Sequence, residues 1–337
     1  MTPASTGAPK GPQTRMTTWP MVSVVMPVLN EERHLQAAVE QVLAQDYPGD
    51  LEVVLAIGPS RDRTRQVAAA LVEKHPQVAV VDNPSGRTPD ALNAAIERSS
   101  GAVVARVDGH AEIPAGYLTT AVRALADTGA DNVGGLMHAH GVSPFERAVA
   151  CAMRSRIGVG NARFHVGGRA GAAATVYLGV FRREALERVG GYDPKFARAQ
   201  DWEMNHRIRS SGGLVWFTPE LTVTYRPRAS FLALGRQYFH YGRWRRVVAR
   251  RHAGTMTARY LAPPVMVVGT SASTLASIFW PPLLVVPLGY AAGIVLGGLR
   301  ASAGEPWRTK ALTIPVLGVM HWAWGIGFLT SPPSLPR

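Results

Sequence analysis

The chain has a single cysteine, Cys151, in 337 residues. That excludes an intrachain disulfide and fits a reducing compartment. Acidic side chains are also scarce: 23 Asp and Glu stand against 36 Lys and Arg, a formal net charge of +13. The shortage is local, because no acid occurs between Glu220 and Glu305. The first part of that gap holds an arginine-rich stretch that includes Arg243, Arg245, Arg246, Arg250, Arg251 and Arg259, and the rest is almost wholly apolar. Basic charge joined to apolar sequence points to an anionic membrane surface and away from nucleic acid. No Gly-x-Gly-x-x-Gly follows the first predicted strand, which disfavours an ordinary dinucleotide fold. The first twenty residues lack a continuous apolar core. Rich in Pro, Gly, Thr and Ser, they read as a disordered leader and not as a signal peptide.

Charge is absent from Tyr260 to Leu299 and again from Ala311 to Pro336. A membrane span needs roughly 20 apolar residues, so residues 260–330 predict a membrane region of about three passes, at 261–280, 282–299 and 311–330. The Trp280-Pro281-Pro282 break between the first two equally suits a re-entrant hairpin. Buried helices of a soluble protein are the other reading, disfavoured by the length of the runs. Residues 231–259 form a basic interfacial segment before the first pass, and Arg300, Arg308 and Lys310 lie between the second and third. The positive-inside rule puts both places in the cytoplasm, predicting a multi-pass cell-membrane protein with its N-terminal domain inside and the tail from Ser331 outside. Trp280, Trp307, Trp322 and Trp324 fit interfacial anchors.

Residues 21–230 alternate strand and helix. Val22–Val28, Leu51–Ile57, Val78–Val81 and Ala102–Val107 are β-branched, buried-looking runs. Helices are expected from Asn30, as N-cap, towards Gln45, after Ser60 through Leu71, and over Asp90–Ser99. This spacing predicts an α/β fold with a largely parallel sheet. The fourth run ends abruptly at Asp108-Gly109-His110. Such a triplet is either an Asp-Gly turn closing a strand or a pair of metal ligands at a strand's carboxyl end.

Val22-Ser23-Val24-Val25-Met26-Pro27-Val28-Leu29-Asn30-Glu31-Glu32 resembles the opening strand and loop of the family 2 inverting glycosyltransferases, which have the GT-A fold. Further segments match in order. Ser60-Arg61-Asp62-Arg63-Thr64 resembles the loop after the second strand, Gly86 and Ala91-Leu92-Asn93 the next loop and helix, and Asp108-Gly109-His110 holds the Asp-x-Asp place. Gln200-Asp201-Trp202-Glu203 resembles the acidic motif carrying the family's base, and Gln237 to Trp244 a variant of its Gln/Arg/Trp-type segment. Coverage is close to residues 21–250, and the tail resembles the membrane-attached succinoglycan branch.

The resemblance implies a nucleotide-sugar donor, a lipid-linked or envelope-glycan acceptor, a place at the membrane and an association with polysaccharide-assembly proteins. It implies donor contacts from Pro27, Asn30, Glu32, Asp62, Gly86, Asn93 and Asp108. Sugar transfer needs a cation to neutralise the leaving diphosphate and a carboxylate to take the acceptor's proton. Asp108 and His110 suit the cation. Imidazole in the place of a hard oxygen favours Mn²⁺ over Mg²⁺. Asp201 is the expected base, with Glu203 second and Gln200 in support; the helix dipole and nearby arginines are expected to keep Asp201 ionised. Arg243 and Trp244 either reach the site or serve the membrane surface. Where relatives have consecutive acids after the second strand this chain has Ile57-Gly58-Pro59, and Asp62 either compensates or is a surface charge. His138, His140 and His165 lie in a Gly-, Arg- and Ala-rich middle segment assigned to the acceptor side. Two other readings stay open: a processive polysaccharide synthase, and a catalytically degenerate scaffold subunit.

Overall fold

A computed structural model describes residues 18–333 of the chain. Nearly all of the expected leader, and the last four residues of the tail, lie outside the described residues. Four β-branched strands, β1 (Val22–Val28), β2 (Leu51–Ile57), β3 (Val78–Asp82) and β4 (Val103–Arg106), alternate with α1 (Leu35–Leu43), α2 (Thr64–Lys74) and α3 (Thr88–Arg98). All pairs among these strands are parallel, as the spacing predicts. The chain continues through α4 (Tyr117–Thr128), β5 (Asn132–Ala139), α5 (Pro144–Met153), the single-turn helices α6 (Arg156–Val159) and α7 (Arg163–Val166), and β6 (Gly171–Ala172). It closes the sheet with β7 (Tyr177–Arg182), α8 (Arg183–Val189), α9 (Gln200–Ser210) and β8 (Val215–Tyr225).

The eight-stranded order is β3-β2-β1-β4-β7-β5-β8-β6. β7 runs antiparallel to both neighbours, while β5 and β8 pair in parallel. One apolar layer buries Leu35, Val39, Leu118 and Val122 against one face of the sheet, and a second buries Leu92, Leu186, Met204 and Ile208 against the other. β1 lies between β2 and β4, so the connections leave in opposite directions there and open a crevice at the carboxyl ends. Asp108 follows β4 into that crevice.

One expected boundary moves. α1 begins at Leu35 and not at Asn30, whose φ of 57° puts it in the left-handed region, outside any N-cap geometry. Residues 30–34 instead form the loop that reaches the β2–α2 connection.

Beyond the sheet come α10 (Phe231–Arg251), α11 (Ala258–Ala276), a 3₁₀ turn at Pro281–Leu284, α12 (Val285–Ala301) and α13 (Trp307–Leu329). Two apolar helices, Pro281–Ala301 and Trp307–Leu329, are long enough to cross a membrane. Their surroundings differ. The α11–α12 tip leaves Leu275, Ile278, Phe279, Trp280, Val285 and Leu288 exposed, whereas α13 buries Val316, Leu317 and Met320 with Met153 of α5 and Tyr238 of α10.

The seam between α10 and α13 is made of glycine. A Cβ on Gly242 would lie 2.0 Å from the Trp324 carbonyl oxygen, and one on Gly327 would lie 2.1 Å from that of Phe239. Both ends of α13 are held by charges of the N-terminal domain and its basic helix: Arg147 pairs with Glu305 at 3.2 Å, and Arg246 donates to the Phe328 and Leu329 carbonyls at 2.9 and 2.8 Å. Arg250 continues this cap onto Ser331 and Pro332. The expected third pass, 311–330, falls largely on α13, one of these two apolar helices.

Candidate active site

At the crevice, Arg106 is the last residue of a strand whose other positions are apolar, and it is only 5% exposed. A charge so buried requires partners. Its Nε donates to Asp108 Oδ1 at 2.9 Å, and its Nη1 donates to Asp201 Oδ1 at the start of α9. One guanidinium thus joins the two carboxylates assigned to opposite halves of the chemistry, although they lie far apart in sequence. Burial alone would lower the Arg106 pKa, but Asp108 and Asp201 outweigh it and hold the group well above its ordinary value. Burial raises the Asp201 carboxyl above the usual aspartate range, with Arg106 opposing and Asp108 reinforcing the shift. Of the expected influences that keep Asp201 ionised, Arg106 acts in that direction, while burial opposes it. Ala199, just before α9, has a φ of 60°, a strained conformation for a residue with a Cβ, and it delivers Asp201 in the first turn.

A cavity of about 170 Å³ adjoins this bridge, lined by Pro27, Leu29, Glu31, Asn83, Gly86, Thr88, Arg106, Asp108 and His110 among others. Pro27, Gly86, Asp108 and His110 therefore share one space. His110 Nδ1 faces Glu31 Oε1 at 2.7 Å, and that hydrogen bond, against burial, raises the imidazole pKa. The same contact fixes the ring and leaves Nε2 as the atom available to a ligand.

Other expected donor contacts have local partners. Asn30 Oδ1 accepts from the Arg61 amide at 2.8 Å, and the Asn30 amide donates to Ser60 Oγ at 3.0 Å. Glu32 Oε2 accepts from the Arg63 amide at 2.8 Å, and Asp62 accepts from the Glu32 and Thr64 amides at 3.2 and 3.1 Å. The two motifs stitch one loop to the other. Asn93 bonds the Tyr192 backbone from both sides, at 2.7 and 2.8 Å, fixing α3 to the segment before α9.

Among the supporting residues, Gln200 opens α9 and is partly exposed. Glu203, expected as the alternative base, is 1% exposed and accepts from Arg207 Nε and Nη2 at 2.7 Å each, with His252 at 3.2 Å. That closed ion pair removes it from the reacting centre. Trp244 is buried with Phe196 and Val248, so it packs the domain under the site and does not cover it. Arg243 lies over the Phe239 ring at 5.5 Å. Arg106 and Glu31 were not singled out by the sequence reasoning, although an arginine inside Val103-Val104-Ala105-Arg106-Val107 was the available signal.

Among the described residues no group of three or more His, Cys, Asp and Glu side chains is placed to hold a metal. Asp108 and His110 line one cavity, with an oxygen and a nitrogen left to a cation. A pair of this kind fits a divalent ion.

Comparison with known proteins agrees with this geometry. The family described as Glycosyl transferase family 2 matches residues 23–190. The succinoglycan biosynthesis protein ExoA of Rhizobium meliloti (strain 1021) is 33% identical over 308 residues, covering 90% of this chain and 93% of that protein. Among solved structures, the mannosyltransferase PcManGT from Pyrobaculum calidifontis, in complex with GDP-Man and Mn²⁺, superposes with a TM-score of 0.64 at 22% identity, covering 93% of this chain and 88% of that one. S. aureus TarS 1–349 in complex with UDP-GlcNAc gives a TM-score of 0.51 at 15% identity, covering 92% and 91%. These similarities carry the GT-A fold.

Proposed function

The chain belongs to glycosyl transferase family 2, a relative of a succinoglycan biosynthesis protein, and on that premise we propose that it is an inverting transferase. Its donor is a nucleoside-diphosphate-sugar and its acceptor a lipid-linked envelope glycan. The observation that carries this reading is the Arg106 bridge between Asp108 and Asp201. It sets a diphosphate-side carboxylate and a base-side carboxylate across one buried cation.

The donor occupies the crevice lined by Pro27, Gly86, Asp108 and His110. Asp108 and His110 would hold the divalent ion, Mn²⁺ in preference to Mg²⁺ because of the imidazole, and the ion would supply positive charge to the departing diphosphate. Asp201 accepts the acceptor hydroxyl's proton as that oxygen attacks the anomeric carbon. A single displacement inverts the configuration there. Burial raises the Asp201 pKa and makes it a stronger base, while Arg106 keeps the ionised form accessible. Asn30, Glu32, Asp62 and Asn93 act by fixing the loops around the donor.

The α11–α12 hairpin enters the cytoplasmic side of the cell membrane, and α13 lies along the domain beside it. The apolar tip, Ile278-Phe279-Trp280-Pro281-Pro282, supports a hairpin that ends within the bilayer. A processive synthase is disfavoured because one such hairpin provides no pore.

The test is release of nucleoside diphosphate from a panel of nucleotide-sugars by membranes carrying the parent chain or Asp201→Asn, with Mn²⁺ supplied. The parent should turn over one donor and the variant should lose about 10²–10⁴-fold. A folded Asp201→Asn protein as active as the parent would remove Asp201 from the mechanism; no turnover of any donor would favour the scaffold reading.

A further inference from the structure

Two larger cavities share no lining residue with the donor crevice. The first, about 390 Å³, is enclosed by the α6–α7 segment and helices α10 to α13. Its walls are aromatic and apolar: Tyr238, Tyr241, Tyr260, Tyr290, Met266 and Trp324. Its charged or titratable lining residues are Arg156, Arg259, His165 and His321. The second, about 450 Å³, is lined by Thr175, Trp202, His206, Thr255 and the cations Arg163, Arg209 and Arg259. Trp202 is the neighbour of Asp201, so this second space reaches the first turn of α9.

The two cavities share Ala162, Phe164, Arg259 and Tyr260, and are therefore adjoining chambers with one arginine at their junction. No acidic residue lines either of them among the described residues. Arg259 is held in place by Tyr260, whose ring lies 4.4 Å from its guanidinium and whose hydroxyl accepts from its Nη2, and no carboxylate lines the chambers it faces among the described residues. His165 Nδ1 is buried without a hydrogen-bond partner at the wall of the first chamber. Arg245 is clamped between the rings of Trp202 and Tyr260, at 4.1 and 3.9 Å, and ties the wall nearest Asp201 to the base of the hairpin.

From this arrangement we infer that the paired chambers are the binding site for a lipid diphosphate. The chain of the lipid lies in the aromatic chamber beside the membrane helices, its phosphate meets Arg259 at the junction, and the attached sugar enters the chamber of Trp202. The inference deepens the acceptor part of the proposed function and rests on it. Charge complementarity selects the occupant: a neutral lipid leaves the junction cation unpaired, and a soluble sugar leaves the aromatic chamber unfilled.

The experiment uses the purified full chain in detergent and radiolabelled geranylgeranyl diphosphate as probe, with geranylgeraniol and phosphatidylglycerol as competitors. Nucleotide-sugar binding by the parent chain is measured in parallel. The expected result is saturable binding of the diphosphate, competition by the alcohol at least about tenfold weaker, and little displacement by phosphatidylglycerol. Arg259→Ala should weaken probe binding about tenfold or more, Arg259→Lys should recover most of it, and Ala262→Trp should fill the apolar chamber and block the probe. Melting temperatures of the variants separate loss of the site from loss of the fold. Equal competition by the alcohol, displacement by phosphatidylglycerol, or probe binding unmoved by both Arg259→Ala and Ala262→Trp overturns the assignment. If donor binding persists while the probe fails, only this inference falls; absence of donor binding by the parent chain instead counts against the transferase reading.

Discussion

Replacing Arg106 by methionine keeps an unbranched apolar stem and deletes the guanidinium, leaving Asp108 and Asp201 without the cation between them. The side chains of the two acids are 21% and 29% exposed against 7% for the arginine, so water screens the trio only in part. Removing one member of such a buried pairing costs about 3–5 kcal/mol at the upper end, and charge-assisted hydrogen bonds are each worth about 1.5–3 kcal/mol. If about 2–3 kcal/mol of that falls on the transition state, kcat/KM at neutral pH drops roughly 30- to 150-fold. The sign of the pH effect follows from the charges. Arg106 favours the ionised form of Asp201, so its loss raises the Asp201 pKa further, and the acid limb of kcat/KM against pH moves upward. The deficit should therefore shrink as pH rises. The assay is nucleoside diphosphate release from the active donor across pH 6–9, with melting temperature recorded at each pH. A deficit of equal size at every pH, in protein that melts normally, would refute the coupling and reduce Arg106 to a structural or donor-binding role.

Other outcomes are equally specific. His110→Asp should move the activity ratio towards Mg²⁺ over Mn²⁺, and an unchanged ratio removes His110 from the ligand set and leaves Asp108. Since the hydrogen bond with Glu31 raises the His110 pKa, protons compete with the cation to higher pH than for a free histidine; Mn²⁺ affinity should strengthen as pH rises through that value, and titration of activity with Mn²⁺ at several pH values measures it. Glu203→Gln leaves Arg207 short of a buried counter-charge and should cost about 3 kcal/mol, a fall of roughly 6–12 °C in Tm, while the pH profile of the surviving enzyme stays that of the parent. In a Cys151→Ser background, Pro333→Cys, at an exposed position, should react with an impermeant maleimide only from the cytoplasmic face if α13 lies along the domain; labelling from outside intact cells would support the three-pass arrangement.

The first four strands, their parallel pairing and the position of Asp108 at a strand end were legible because buried parallel strands write themselves as continuous β-branched runs. The order of loose motifs then placed Pro27, Gly86, Asp108 and His110 around one space. Arg106 was legible only as an anomaly. Its partners come from the adjoining turn and from α9, and no local pattern encodes the second. Asn30, Glu32 and Asp62 show the opposite limit: their motif marks the site, yet their side-chain oxygens accept hydrogen bonds from amides that hold the loops together. Hydropathy marks α12 and α13 alike as apolar helices, and it carries no sign of Gly242, Gly325 and Gly327, the positions at which other helices approach α10 and α13 most closely.

The glycine seam gives the enzyme a ruler. Backbone packed on backbone sets α10 against α13 in one register, and the Arg245 clamp ties α9 to the start of α11. If the acceptor's diphosphate lies at Arg259 and its proton passes to Asp201, as proposed, helix packing and not a swinging tether would set the distance between them. An acceptor glycan one sugar too short or too long would then present its hydroxyl at the wrong height, and residues that touch no sugar would select acceptor length.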